Sequence, residues 1–184
     1  MSWPDRIAYL RIALVPVIMA LILYATDGGP GYVVALGVFI VAAVSDFLDG
    51  YLARRWDIAT VLGGFLDSVA DKLLVLGALT ALVKVGRAWT WALFIIVARE
   101  LAVMGLRGVA ALGKEGVPPS IWGKAKAWVQ FTAIGLAMVR LSDQWGPLYL
   151  DEYFMILAVV VTLLSGYEYF VRYQRVFRLE RNSV

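Results

Sequence analysis

The chain contains no histidine and no cysteine. Without cysteine it can form no disulfide and has no thiolate for nucleophilic or metal chemistry. Without histidine it lacks the usual general base, the usual zinc ligand and every serine–histidine arrangement. Acid–base or metal chemistry must therefore run on carboxylates and lysines. Charge is scarce too: 17% of the 184 residues are charged and 61% are hydrophobic, with a mean hydropathy of +0.77. That balance excludes disorder and argues against a soluble domain. Polar linkers, low-complexity runs and internal repeats are absent, so the expectation is one membrane domain over residues 1–184. The net charge of +3 does not point to nucleic acid, because Lys and Arg sit at the ends of apolar runs, where they record membrane orientation.

Six apolar runs reach the ~20 residues that a membrane span needs: roughly 8–26, 33–54, 61–84, 88–111, 121–141 and 149–172. The breaks between them are short, as in "TDGGPG" and "KVGRA", so neighbouring helices should run antiparallel. The first run is not expected to be a cleaved leader, since Asp5 sits beside Arg6 and no small-residue cleavage site follows it. Basic residues crowd one side of this arrangement: Arg6, Arg11, Arg54, Arg55, Arg107, Lys114, Lys124, Lys126 and the arginines from Arg172 to Arg181. Only Lys84, Arg87 and Arg140 fall on the other. The fold expected is an all-α integral membrane protein with six transmembrane helices and both termini cytoplasmic. A short interfacial helix is expected before the first span, anchored by Trp3 and Tyr9. The tail "RYQRVFRLER" is expected to prolong the last helix along an anionic leaflet.

Against this apolar background, "SDFLDGYLARRWDIATVLGGFLDSVADK" (45–72) is anomalous. Helical spacing puts Asp46, Asp49, Gly50 and Ala53 on one stripe of the second span, and Gly63, Asp67 and Asp71 on one stripe of the third. Antiparallel spans can turn these stripes toward one another, so that four carboxylates share a small space. They cannot all stay ionised there without a cation. Oxygen-only ligation suits Mg²⁺ or Mn²⁺, and four carboxylates are enough for two ions. Small residues beside such a site leave room for a ligand, and Arg54 next to them suits a pyrophosphate. Three other readings of the same residues stay open: a structural ion network with Arg54 and Lys72, a cation pathway, and small residues serving only helix packing. Asp57 falls in the turn and reads as solvated.

The run Asp46-x2-Asp49-Gly50-x2-Ala53-Arg54-x8-Gly63-x3-Asp67-x3-Asp71 resembles the signature of the CDP-alcohol phosphotransferase family. "RIALVPVIM", "AREL" with Arg107 seven residues after Glu100, "GKAKAWVQ" and "SGYEYF" are similar to its phosphatidylglycerophosphate synthase branch. The resemblance implies a six-helix membrane enzyme, usually a homodimer, with a polar cavity open to the cytoplasm. It implies CDP-diacylglycerol as phosphatidyl donor, CMP as leaving group and two divalent ions on the aspartates. Asp46, Asp49 and Asp67 would then be metal ligands, and Asp71 a ligand or near-ligand that is also the general base. Gly50, Ala53 and Gly63 would leave space for the cytidine diphosphate, and Arg54 would contact its phosphates. Two positions depart from the branch: Asp5 stands after Pro4 where Asn is frequent, and Ser68 after Asp67 where Pro is frequent.

Arg107, Lys124 and Lys126 flank the "GKEGVPPS" loop, and three cations around one cavity suit a phosphorylated acceptor. Ordinary positive-inside charge is the competing reading. The resemblance selects sn-glycerol 3-phosphate, with inositol phosphate, phosphatidylglycerol and serine as alternative acceptors, and a non-enzymatic cation transporter as a remote one. Arg99 and Glu100 are expected deeper, as an ion pair shaping the cavity. Arg172 either reaches that cavity or anchors the tail.

Overall fold

The computed structural model describes residues 3–27, 29–55, 61–112, 121–141 and 144–181, with side chains described for 6–27, 29–45, 63–110, 122–123, 125–141 and 144–174. Six helices follow one another: α1 (Trp3–Leu23), α2 (Gly31–Arg55), α3 (Val61–Lys84), α4 (Thr90–Leu112), α5 (Ile121–Val139) and α6 (Leu150–Arg181). At ~1.5 Å per residue, α1 to α5 are each ~28–38 Å long, the depth of a bilayer's hydrocarbon core. The six runs read from the sequence thus correspond to these six helices. Two of the described helices, α1 (over Arg6–Leu23) and α6 (over Leu150–Gln174), are long and apolar enough to cross a membrane by themselves. In α3 and α4 the apolar run is broken by charges that turn inward: Asp67, Asp71 and Lys72, then Arg99 and Glu100.

The expected separate interfacial helix at the N-terminus is not found, because α1 is continuous from Trp3. Pro4 does not break it, since the N–H it lacks belongs to a first turn that has no intrahelical acceptor anyway. Pro16 lies inside α1, where it leaves the Ile12 carbonyl without its helical donor.

α1 packs most extensively on α3 and then on α2, while α5 packs on α6, and α4 reaches α6. Alanines supply much of this contact: Ala35, Ala42, Ala78, Ala92, Ala133, Ala137 and Ala158 are essentially inaccessible. Small residues let apolar helices approach where hydrophobic burial alone gives no preference for one neighbour. Gly77 marks a close approach, for a Cβ there would lie 2.4 Å from Val15 Cγ1 of α1. Ile18, Ile22, Phe39, Leu74, Leu79, Leu82, Ile96, Ile134 and Met138 fill the interior around these contacts.

One end of the bundle is closed by polar ties. Arg87 donates to Asp27 Oδ1 (2.6 Å) and to the Met138 carbonyl (2.8 Å), with its guanidinium 3.6 Å from the Tyr32 ring centre. β1 (Gln144–Trp145) and β2 (Leu148–Tyr149) form a two-residue hairpin, turned at Gly146 with φ 77°. Glu152 then caps α6 by accepting the Tyr149 N–H at 2.9 Å. Toward the other end, among the described residues, a cavity penetrates between α3, α4, α5 and α6.

Candidate functional site

The cavity has a volume of about 540 Å³ and two chemically distinct walls. α3 contributes Asp67 and Asp71, four residues apart and so on one face. α4 and α5 contribute Arg99, Glu100, Arg107 and Lys126, and Tyr169 of α6 completes the wall. An acidic stripe therefore faces a largely basic one inside a helical bundle.

On the acidic side, Arg11 of α1 donates through Nη1 to Asp67 Oδ1 at 3.0 Å. The arginine is only 1% exposed, whereas the Asp67 side chain is 44% exposed, so a buried cation holds a carboxylate that still opens to the cavity. Asp71 accepts no hydrogen bond from the described residues although it lines the same wall. Lys72 beside it also lines the cavity, bonded to the Ser68 carbonyl and hydroxyl, both at 2.8 Å. Ser68, which stands where the branch often has proline, thereby supplies an acceptor that proline could not.

On the basic side, Glu100 is buried and shared. Lys126 forms an ion pair with it, and Arg99 Nη1 reaches the same oxygen at 3.2 Å. Arg99 Nη2 also donates to Ser165 Oγ at 2.6 Å, while its Nε is buried with no acceptor among the described residues. Arg107 is held differently: its Nη2 donates to the Tyr169 hydroxyl at 2.8 Å. It has no carboxylate partner among the described residues, so its charge remains available to an anion.

Of the residues singled out from the sequence, Asp67, Asp71, Arg107 and Lys126 are thus brought to one cavity. Gly63 lies on α3 one turn before Asp67, half-buried. The backbones of Asp46, Asp49, Gly50, Ala53 and Arg54 belong to α2 and that of Lys124 to α5, but their side chains lie outside the described residues. The Arg99–Glu100 pair occurs as expected. Arg172 pairs with Glu168 at 2.6 Å and borders a separate outer groove with Trp122 and Tyr167.

Among the described residues no cluster of three or more metal-ligating side chains occurs, and half of the four-aspartate set falls outside them. What is described fits a hard divalent cation: an all-oxygen donor set, with one carboxylate aligned by Arg11 and another that accepts no hydrogen bond from the described residues.

Three features escaped sequence reasoning: Arg11 as a partner of Asp67, and Ser165 and Tyr169 as partners of Arg99 and Arg107. The signal for the last two is present, since Ser165, Tyr169 and Tyr173 recur every four residues and so share one face of α6. Arg11 carried no such signal, because a lone arginine at a span end reads as orientation charge.

A family model described as CDP-alcohol phosphatidyltransferase matches residues 1–164. Among curated relatives, the chain is 36% identical over 178 residues to the CDP-diacylglycerol–glycerol-3-phosphate 3-phosphatidyltransferase of Bacillus subtilis (strain 168), covering 91% of this chain and 92% of that one. It is 39% identical over 168 residues to a probable phosphatidylglycerophosphate synthase of Mycobacterium tuberculosis (strain ATCC 25618 / H37Rv), covering 89% and 77%. A protein of Rickettsia bellii (strain RML369-C) with the same name as the Bacillus one is 36% identical over 177 residues, covering 95% and 96%.

Proposed function

The chain belongs to the CDP-alcohol phosphatidyltransferase family, and on that premise we propose that it transfers the phosphatidyl group of CDP-diacylglycerol to sn-glycerol 3-phosphate. The products are phosphatidylglycerophosphate and CMP. The relatives that carry this activity in their names span nearly the whole chain. The observation in the molecule that carries the reading is the cavity whose acidic α3 wall faces Arg107, Arg99 and Lys126.

Asp46, Asp49, Asp67 and Asp71 would hold the divalent ions, Mg²⁺ or Mn²⁺. When bound, these supply charge neutralisation on the diphosphate and on departing CMP. The remaining work falls to the chain. Arg11 keeps Asp67 aimed into the cavity. Gly50, Ala53 and Gly63 leave space for the cytidine diphosphate, and Arg54 pairs with its phosphates. Arg107, with Lys124 and Lys126, receives the acceptor's phosphate. Asp71 takes the proton of the acceptor hydroxyl as that oxygen bonds to the phosphatidyl phosphorus. The bond from this phosphorus to the CMP oxygen breaks, and CMP leaves with the electron pair. A carboxylate is the base open to a chain without histidine.

Our reading places all six helices across the cell membrane, with both termini and the open cavity on the cytoplasmic side and a homodimer as the working unit. The basic residues gathered at the cavity end support that orientation. Acyl chains then remain in lipid while a water-soluble acceptor enters from the cytoplasm.

The test is CMP release from CDP-diacylglycerol by purified protein, offered glycerol 3-phosphate, inositol phosphate, phosphatidylglycerol or serine. Stimulation by glycerol 3-phosphate is expected. Stimulation by another acceptor alone would overturn the choice of acceptor, and ion flux without CMP release would overturn the enzyme reading.

A further inference from the structure

The three cations of the basic wall are held by different chemistry. Arg99 and Lys126 share the carboxylate of Glu100, so part of their charge is neutralised within the protein. Arg107 is tied instead to a neutral phenol, the Tyr169 hydroxyl, at 2.8 Å. A neutral acceptor fixes the direction of a guanidinium without cancelling its charge, and the other N–H donors of the fork stay available to a ligand.

Tyr169 is built for this task. It is 3% exposed, stacked on Tyr173 with ring centres 6.4 Å apart, and packed against Val103 and Ala110 of α4. Its ring lies within reach of two guanidiniums, Arg99 at 5.2 Å and Arg107 at 5.4 Å from the ring centre. These arginines are eight residues apart, ~12 Å along α4, yet both heads converge on this one side chain. One turn earlier on the same face of α6, Ser165 holds Arg99. On the cavity side Gly123 of α5 stands beside the Tyr169 hydroxyl and presents no side chain to it.

We propose that Tyr169 is a positioning residue for acceptor selection: it holds the Arg107 guanidinium, with its charge undiminished, where the phosphate of a phosphorylated acceptor binds. This rests on the proposed reaction, and it assigns the discrimination between phosphorylated and unphosphorylated alcohols to the Arg107–Tyr169 pair rather than to net positive charge.

Tyr169→Phe removes one oxygen and keeps the ring that both arginines contact. The expected result is a rise of about tenfold in KM for glycerol 3-phosphate, the lower end of what a hydrogen bond to a charged group carries. kcat and KM for CDP-diacylglycerol should change less than about twofold. Arg107→Lys keeps the charge but loses the fork, so it should raise the same KM, and Tyr169→Phe should add nothing in that background. An unchanged KM in Tyr169→Phe, equal effects on both substrates, or additive effects in the double variant would overturn the assignment. Should Tyr169→Phe not accumulate as folded protein, a near-normal KM in Arg107→Lys would overturn it instead. Wild-type protein assayed alongside separates this inference from its premise. If a different phosphorylated acceptor supports release, only the choice of glycerol 3-phosphate falls, and the same KM comparison is made with that acceptor. If only an unphosphorylated acceptor works, both fall.

Discussion

Arg11→Met tests whether the acidic wall depends on a cation of the protein's own. Arg11 is 1% exposed and reaches Asp67 Oδ1 at 3.0 Å, whereas the Asp67 side chain is 44% exposed. Removing one partner of a fully buried pair costs ~3–5 kcal/mol, because the other charge is stranded. Here Asp67 stays in contact with the aqueous cavity, so the cost falls nearer the ~2 kcal/mol of a lost hydrogen bond between charged groups. Met retains most of the stem volume, which keeps a cavity penalty small. For a chain of this size, ~2 kcal/mol corresponds to a drop in Tm of about 4–8 °C. The assay is thermal unfolding of purified protein in detergent, first with a chelator and then with saturating Mn²⁺. With chelator the full drop should appear. With Mn²⁺ it should shrink by at least about half, since the Asp67 carboxylate then regains a cation. A variant that melts with the wild type in chelator, or is equally destabilised with and without Mn²⁺, would refute the reasoning.

Asp71→Asn should lower turnover by a factor of about 10² to 10⁴, the range for loss of a general base, while CDP-diacylglycerol binding in an equilibrium assay remains. Near-normal turnover would remove Asp71 from that role. Gly77→Ala places a methyl 2.4 Å from Val15 Cγ1 and should cost about 1–3 kcal/mol of stability. Adding Val15→Ala should recover most of that loss, and no recovery would mean that the α1–α3 approach is not the cause. Arg87→Met cuts the ties to Asp27 and the Met138 carbonyl at the end remote from the cavity. It should lower Tm while leaving both KM values at 25 °C within about twofold, given the distance from the site; a selective change in either KM would refute that independence.

Much of the architecture is legible in the chain because helices in lipid must satisfy their own backbone, so long apolar runs announce them. The acidic stripe is legible for a similar reason: Gly63, Asp67 and Asp71 recur every four residues, and that spacing alone sets one face of α3. The N-terminal segment was misread, since Pro4 and Arg6 suggest a separate interfacial helix, yet a proline in the first turn costs a helix nothing. The contrast among the helices was also hidden. Only α1 and α6, among the described helices, are apolar enough to cross unaided, while charges of α3 and α4 find partners on other helices, Asp67 with Arg11 of α1 and Glu100 with Lys126 of α5.

What the sequence by itself determined, then, is the set of helices and the face on which α3 carries its carboxylates. Both follow from apolar run length and local periodicity. Only the tertiary structure decided which partners meet: Arg11 with Asp67 across 56 positions, Arg107 with Tyr169 across 62, and Lys126 with Glu100 across 26. A helix that is apolar nearly all round does not specify its own rotation or depth. Those are set by how closely particular side chains allow two helices to approach, as at Gly77 and Val15, and such contacts exist only once the bundle is assembled.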